Sequence, residues 1–250
     1  MGLELENISV NYGEKKVLDN ISLQINYRDK LAILGSNGVG KTTLLKAILS
    51  LLKIKGACYL DGVNLKKYSL RDRAKKIAYV PQYLDINFSI SVIEYIYMGR
   101  AAYKNEDKGL LMKKAEEVIK KFELENIALK NMNQLSGGEK QKVMIAKAII
   151  QETKVIVLDE PTNNLDIKYQ KKVLEILDSI VKEKNIIVIM TIHDLPLANK
   201  YCNKFLFLKD KKIYAYGNSK EVLTEEKIKE IYETEVEIIE HKGERKILVV

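Results

Sequence analysis

Apolar and polar positions alternate through the first 34 residues, and the alternation breaks at Asn11-Tyr12-Gly13-Glu14 and again at Tyr27-Arg28-Asp29-Lys30. A period of two predicts half-buried strands, and the two polar corners supply turn chemistry between them, so short strands are expected here. Leu31-Ala32-Ile33-Leu34 is a fully apolar strand, followed by a glycine-rich stretch from Gly35 to Gly40. Leu44, Leu45, Ile48, Leu49 and Leu52 then recur at helical spacing. Strand, loop and helix in that order make half of a βαβ unit. Ala57 to Leu60 and Ile77 to Val80 read as further strands, the second closed by Pro81, which cannot donate to a ladder.

From about residue 83 to 151 the period changes to helical, with Ile93, Ile96 and Tyr97, then Leu111, Ala115, Val118, Ile119 and Phe122. Strands return as the continuous apolar runs Val155 to Leu158 and Ile186 to Thr191, separated by a helical pattern at Val173, Leu174, Leu177 and Ile180. Continuous runs mean burial on both faces, hence a parallel sheet covered by helices, an α/β fold. The tail predicts strands at Phe205 to Leu208 and Ile213 to Tyr216, a helix near Glu225 to Tyr232 and a closing hairpin. The expected organisation is one domain over 1–250, with residues 1–82 and 152–250 as its core and about 83–151 as a helical lobe.

Composition narrows the class. Of 250 residues, 46% are hydrophobic and 30% charged, which excludes a disordered chain. The net charge of +8 allows nucleic acid, an anionic membrane or a phosphate ligand as partner, but the lysines are scattered along helical stretches as ordinary solvated faces are. Cys58 and Cys202 stand far apart, without metal-ligand spacing or a disulfide framework, which fits a reducing compartment. The longest apolar run, Ile186 to Met190 with a neighbour or two, falls far short of the roughly 18 residues of a membrane span. The first six residues alternate like a strand and lack the basic start and apolar block of an export signal.

The chemistry is concentrated in a few places. Gly35-Ser36-Asn37-Gly38-Val39-Gly40-Lys41-Thr42 matches G-x-x-x-x-G-K-[ST] between a strand and a helix, the context a phosphate loop requires. Its glycines let backbone N–H groups close on phosphate oxygens, Lys41 reaches the outer phosphates, and Thr42, followed by Thr43 in the same binding turn, offers a hydroxyl to Mg²⁺. Asp159 and Glu160 end a buried strand on the same sheet edge. There Asp159 would serve the metal, and Glu160 would orient or deprotonate the water that attacks a γ-phosphate. His193 follows a third buried strand and should emerge beside them as a hydrogen-bond donor to that phosphate. Ser136 and Glu139 form a capping box ahead of the helix bearing Val143, Ala146 and Ile150. Gly137 and Gly138 weaken a first turn by about 1 kcal/mol each. A second anion brought close to this helix start would account for them.

With these motifs in this order, the sequence resembles ATP-binding-cassette (ABC) ATPases over essentially its whole length. The resemblance implies a P-loop NTPase core with a mixed sheet, an N-terminal antiparallel β part, and a helical lobe between a glutamine-bearing loop at Gln82 and the Leu135–Glu139 signature. It implies a head-to-tail dimer holding ATP between the phosphate loop of one copy and Ser136, Gly137, Gly138 and Glu139 of the other. By position, Tyr12 resembles the aromatic that stacks on adenine, Gln82 the glutamine that senses Mg²⁺ and the transporter, and Asn164-Leu165-Asp166 the loop crossing to the partner. Two positions depart from the usual pattern: Asn164 stands where serine or alanine is common, and Glu139 replaces a glutamine, adding a negative charge near the partner's site.

No long coiled coil interrupts the interval from Lys41 to Asp159, as chromosome cassettes require, and there is one cassette where translation cassettes usually carry two, so nucleic acid is not an expected partner. A fused membrane domain is not expected. Ser91 to Tyr103 and the tail from Gly217 through Thr224 are similar to ATPases of the iron-siderophore, haem and cobalamin importer branch, which also serves molybdate-type oxyanions. The expectation is a peripheral subunit at the cytoplasmic face of a membrane. It would drive integral permease subunits, docked near Gln82 to Tyr103, that work with a solute-binding protein; import of molybdate, tungstate or zinc is the alternative.

Overall fold

The computed structural model describes residues 2–84, 89–104, 106–241 and 244–249. Its first two strands, β1 (Gly2–Tyr12) and β2 (Lys15–Asn26), pair antiparallel and are longer than the alternation predicts. Irregularities absorb the breaks in pattern. Asn7 and Asn20 take positive φ, the Asn7 N–H donates to Ser22 Oγ at 2.8 Å and the Asn20 N–H to Ser9 Oγ at 2.9 Å. Each strand thus shifts register and continues, as bulged strands do.

β3 (Lys30–Leu34) leads through the glycine-rich loop into α1 (Lys41–Ile48). The helix ends earlier than its apolar spacing suggests. Ser50 turns left-handed, its N–H donates to Ala47 O, and the Leu51 N–H donates to Lys46 O, closing the end before Leu52. β4 (Lys55–Leu60) and β5 (Val63–Asn64) complete an antiparallel sheet in the order β2-β1-β4-β5. The short helix α2 (Leu70–Ala74) precedes β6 (Ile77–Val80), and the lobe comes next with α3 (Val92–Tyr97), α4 (Lys108–Lys121) and α5 (Gly137–Ile150). The expected lobe and the expected docking stretch Gln82 to Tyr103 both include 85–88, which lie outside the described residues.

β7 (Val155–Leu158), α6 (Ile167–Lys184), β8 (Ile187–Thr191), α7 (Leu195–Tyr201), β9 (Lys204–Lys209) and β10 (Lys212–Gly217) return the chain to the core. The central sheet has the order β10-β9-β3-β8-β7-β6, parallel except for β10. Its strands are buried on both faces, and alternate residues feed two cores. Leu31, Ile33, Val157 and Ile189 pack with α1 and the antiparallel sheet, while Ala32, Leu34, Ile156, Leu158 and Met190 pack with α3, α5 and α6. This two-sided burial explains why these strands read as unbroken apolar runs. The chain closes with α8 (Ser219–Val222), α9 (Glu225–Tyr232) and the hairpin β11 (Val236–His241) and β12 (Glu244–Val249). Among the described residues no helix is long and apolar enough to cross a membrane.

Candidate functional site

The parallel register sets the site. Ile33 of β3 lies opposite Thr191 of β8, and Leu158 of β7 lies opposite Met190, so three neighbouring strands end on one edge within a residue of one another. The segments leaving these strand ends therefore reach the same place: the glycine-rich loop after Leu34, Asp159 and Glu160 after Leu158, and His193 two residues after Thr191.

A cavity of about 700 Å³ opens there, lined by Tyr12, Val17, Asn37, Gly38, Gly40, Lys41, Thr42, Thr43, Gln82, Glu160, Asn163 and His193. Lys41 is 7% exposed and its Nζ donates to Gly35 O at 2.7 Å and Ser36 O at 3.0 Å. Burial pushes its pKa down, against the pull of the Glu160 and Asp159 charges. The start of α1 behind it carries no side-chain cap; Gly40 occupies the cap position.

Glu160 sits in a left-handed conformation, φ 51°, uncommon for a residue with a side chain. Thr191, fully buried at the end of β8, holds it there: Thr191 Oγ1 accepts the Glu160 N–H at 2.8 Å and donates to Asp159 Oδ1 at 2.7 Å. The Glu160 carboxylate is ringed by donors. Gln82 Nε2 donates to Oε2 at 2.7 Å, Asn163 Nδ2 bonds the same oxygen, and His193 Nε2 lies 2.7 Å from Oε1. In the tautomer that carries its hydrogen on Nε2, His193 donates that hydrogen to Glu160. The expected phosphate contact of His193 requires exchanging that bond or using the other ring nitrogen.

The remaining residues expected at the site fall elsewhere. Gly35, Ser36 and Val39 face a second cavity, of about 640 Å³, on the other side of the same loop. Asp159 is 1% exposed beneath the site, and its Oδ2 accepts no hydrogen bond from any described residue. Ser136, Gly137, Gly138 and Glu139 line a separate cavity of about 630 Å³ with Lys142, Asn164, Leu165, Asp166 and Tyr169. The two halves of the expected ATP site are thus not joined within one chain.

Local contacts account for two features of the signature. A Cβ on Gly137 would meet Asn164 only at an ordinary 3.6 Å, whereas Gly138 is constrained by packing. A Cβ there would stand 2.8 Å from the Asn164 carbonyl oxygen, so the helix start is glycine because the loop at Asn164 presses on it. Glu139 closes the cap while lining the same cavity: Oε2 accepts from the Ser136 N–H at 2.8 Å and from Ser136 Oγ at 2.7 Å, and these bonds hold its pKa down.

Sequence reasoning passes over Asn163 and Thr191 as site residues. Thr191 has a legible signal, a lone hydroxyl ending an apolar strand. Asn163 has none, because it reaches Glu160 only through the turn Glu160-Pro161-Thr162-Asn163, closed by a 3.1 Å bond from the Asn163 N–H to Glu160 O.

The chain is similar to known proteins. A family model described as ABC transporter matches residues 18–163. An uncharacterized ABC transporter ATP-binding protein of Methanocaldococcus jannaschii is 40% identical over 97% of this chain and 96% of its own length. A Helicobacter pylori protein named as a probable iron chelatin transport ATP-binding protein is 36% identical over 96% of each. Among solved structures, an inward-facing conformation of a putative metal-chelate type ABC transporter superposes with a TM-score of 0.83 at 28% identity, covering 100% of this chain and 96% of that one. A dimeric post-hydrolysis ATP-binding cassette bound to ADP and phosphate superposes with a TM-score of 0.79 at 28% identity, covering 86% and 98%.

Proposed function

The chain belongs to the ABC transporter ATP-binding family, and from that premise we propose that it binds ATP with Mg²⁺ and hydrolyses it, in a head-to-tail pair, to energise import of a metal chelate through separate membrane subunits. The observation that carries this reading is the meeting of Lys41, Thr42, Gln82, Glu160 and His193 in one cavity while Ser136 to Glu139 line another. A nucleotide tail held by the first set would need the second set from another copy.

Tyr12, 48% exposed at the rim, offers its ring to the base. The amides of the loop and the Lys41 ammonium take the phosphates, Lys41 releasing the carbonyls of Gly35 and Ser36 to do so. The Thr42 hydroxyl, the open Oδ2 of Asp159 and the Gln82 amide oxygen are hard oxygen donors of the kind Mg²⁺ takes beside phosphate, so these residues fit it. Bound Mg²⁺ neutralises phosphate charge. Glu160 orients the attacking water and takes its proton as the water oxygen bonds to the γ-phosphorus and the bond to the ADP oxygen breaks. Gln82, Asn163 and His193 aim that carboxylate before the water arrives.

The metal-chelate cargo rests on the names of the relatives, and the place of work, peripheral at the cytoplasmic face, on the transporter family. Reconstitution with its membrane subunits tests both. ATP-dependent uptake of a labelled ferric chelate, abolished by Lys41→Ala, is expected; uptake of molybdate or zinc in its place would reassign the cargo. Phosphate release by the chain alone should fall ~10²- to 10⁴-fold in Glu160→Gln with ATP binding retained. Release at the parental rate would remove Glu160 from the chemistry.

A further inference from the structure

The glycine-rich loop lines both the cavity of about 700 Å³ and the second one of about 640 Å³, with Asn37 and Gly38 facing each. The far wall of the second cavity is built from the end of β9 and the end of α9, through Leu208, Lys209, Glu230 and Tyr232. From that wall one side chain reaches the loop: the Gly35 N–H donates to Tyr232 Oη at 3.1 Å. Among the described residues, no other side chain from outside the loop bonds a backbone N–H of residues 35–40.

The bond is braced from behind. The Tyr232 ring meets Phe207, fully buried in β9, edge-on with centroids 6.1 Å apart. Two residues earlier Glu230 pins α9 to the sheet, accepting from Lys209 Nζ at 2.6 Å and from Tyr214 Oη. Gly35 itself is pressed on β9: its φ is +142° and a Cβ would lie 2.6 Å from the Leu208 carbonyl oxygen. The root of the loop is therefore clamped between a strand carbonyl and a braced phenol.

We propose that Tyr232 is a positioning residue for the nucleotide, fixing the root of the phosphate loop so that its amides are already arranged when ATP arrives. The proposal rests on the ATP-binding reading and adds the C-terminal helix to it. A loop this rich in glycine loses much conformational freedom when it closes on phosphates, and a fixed root lowers that cost before binding. The benefit falls on ground-state affinity. Tyr232 touches neither the attacking water nor Glu160, so the chemical step is indifferent to it. Coupling is reciprocal, so ATP in turn steadies α9.

The test is Tyr232→Phe in the full chain, which keeps the ring against Phe207 and removes the hydroxyl. ATP affinity should weaken ~3- to 10-fold, with a matching rise in KM, while kcat stays within about two-fold of the parent. Hydrogen exchange at the Gly35 amide should speed up, and ATP should slow exchange in α9 of the parent more than in the variant. Tyr201→Phe, which removes from the end of α7 a buried hydroxyl with no hydrogen-bond partner among the described residues, should leave affinity and Gly35 exchange unchanged. Parental affinity and parental Gly35 exchange in Tyr232→Phe would overturn the proposal, as would a fall in kcat with affinity unmoved. Lys41→Ala separates the two layers: if that variant still binds ATP at parental strength, the nucleotide reading itself fails; if it does not, a silent Tyr232→Phe removes the clamp alone.

Discussion

Two helix starts in this chain are suited to an anion, and they are built in opposite ways. At α1 no side chain caps the first turn, and the nearby Lys41 ammonium is bonded to carbonyls of its own loop. At α5 the first turn is closed by the reciprocal box of Ser136 and Glu139, on a glycine seated against Asn164. Charge follows the same division. Burial drives the Lys41 pKa down, whereas the Glu139 pKa is lowered by the bonds of Ser136. The open start has donors and a cation that a phosphate would satisfy better than the loop does. The closed start is stable by itself and can serve only as a preformed surface. A site divided in this way suits a nucleotide that enters one half first and recruits the other from a second copy.

Substitutions at the two starts should therefore separate binding from stability. The largest effect is expected from Lys41→Ala, which removes the charge from the open half: ATP affinity by calorimetry should fall on the order of 10- to 100-fold, with little change in thermal stability. Gly138→Ala should do the reverse. Alanine gains about 1 kcal/mol of helix propensity, but its methyl meets the Asn164 carbonyl, and overpacking costs about 1–3 kcal/mol, so a net loss of up to about 2 kcal/mol is expected in denaturant unfolding. Ser136→Ala loses one cap, about 1 kcal/mol, or a Tm lower by about 2–4 °C, while affinity of the single chain for ATP stays parental.

The smallest effect is a pH dependence. Because the folded Glu139 pKa lies below its ordinary 4.5, its stabilising contribution is present above that value and is lost as pH falls through the folded one. Parent and Glu139→Gln should accordingly differ in Tm at pH 6 and converge in more acidic solution. A gap that widened toward acid would contradict the bonding of Glu139 to Ser136.

Much of this is legible in the sequence because burial on both faces leaves a plain mark. The runs Val155 to Leu158 and Ile186 to Thr191 read as inner strands, which β7 and β8 are, and a phosphate-loop pattern after Leu34 points to the sheet edge where the proposed site lies. The capping box at Ser136 is equally plain, being a local pattern of four residues. The features that escape are set by distant contact. Nothing near Gly138 announces Asn164 as its neighbour, nothing near Tyr232 announces Gly35, 197 residues away, and the bulges at Asn7 and Asn20 are stabilised by serines on the facing strand. The end of α1 escapes for a different reason: Leu49 and Leu52 keep the helical spacing, but the chain turns left-handed at Ser50.

The central claim is that the two halves of the site complete each other only between copies. Gel filtration of Glu160→Gln with light scattering, run with and without ATP and Mg²⁺, addresses it most directly. The account predicts a monomer without nucleotide and a dimer with it, the dimer disappearing when Lys41→Ala is added to the same chain. A Glu160→Gln chain that binds ATP with parental affinity yet remains monomeric at saturating nucleotide would contradict it.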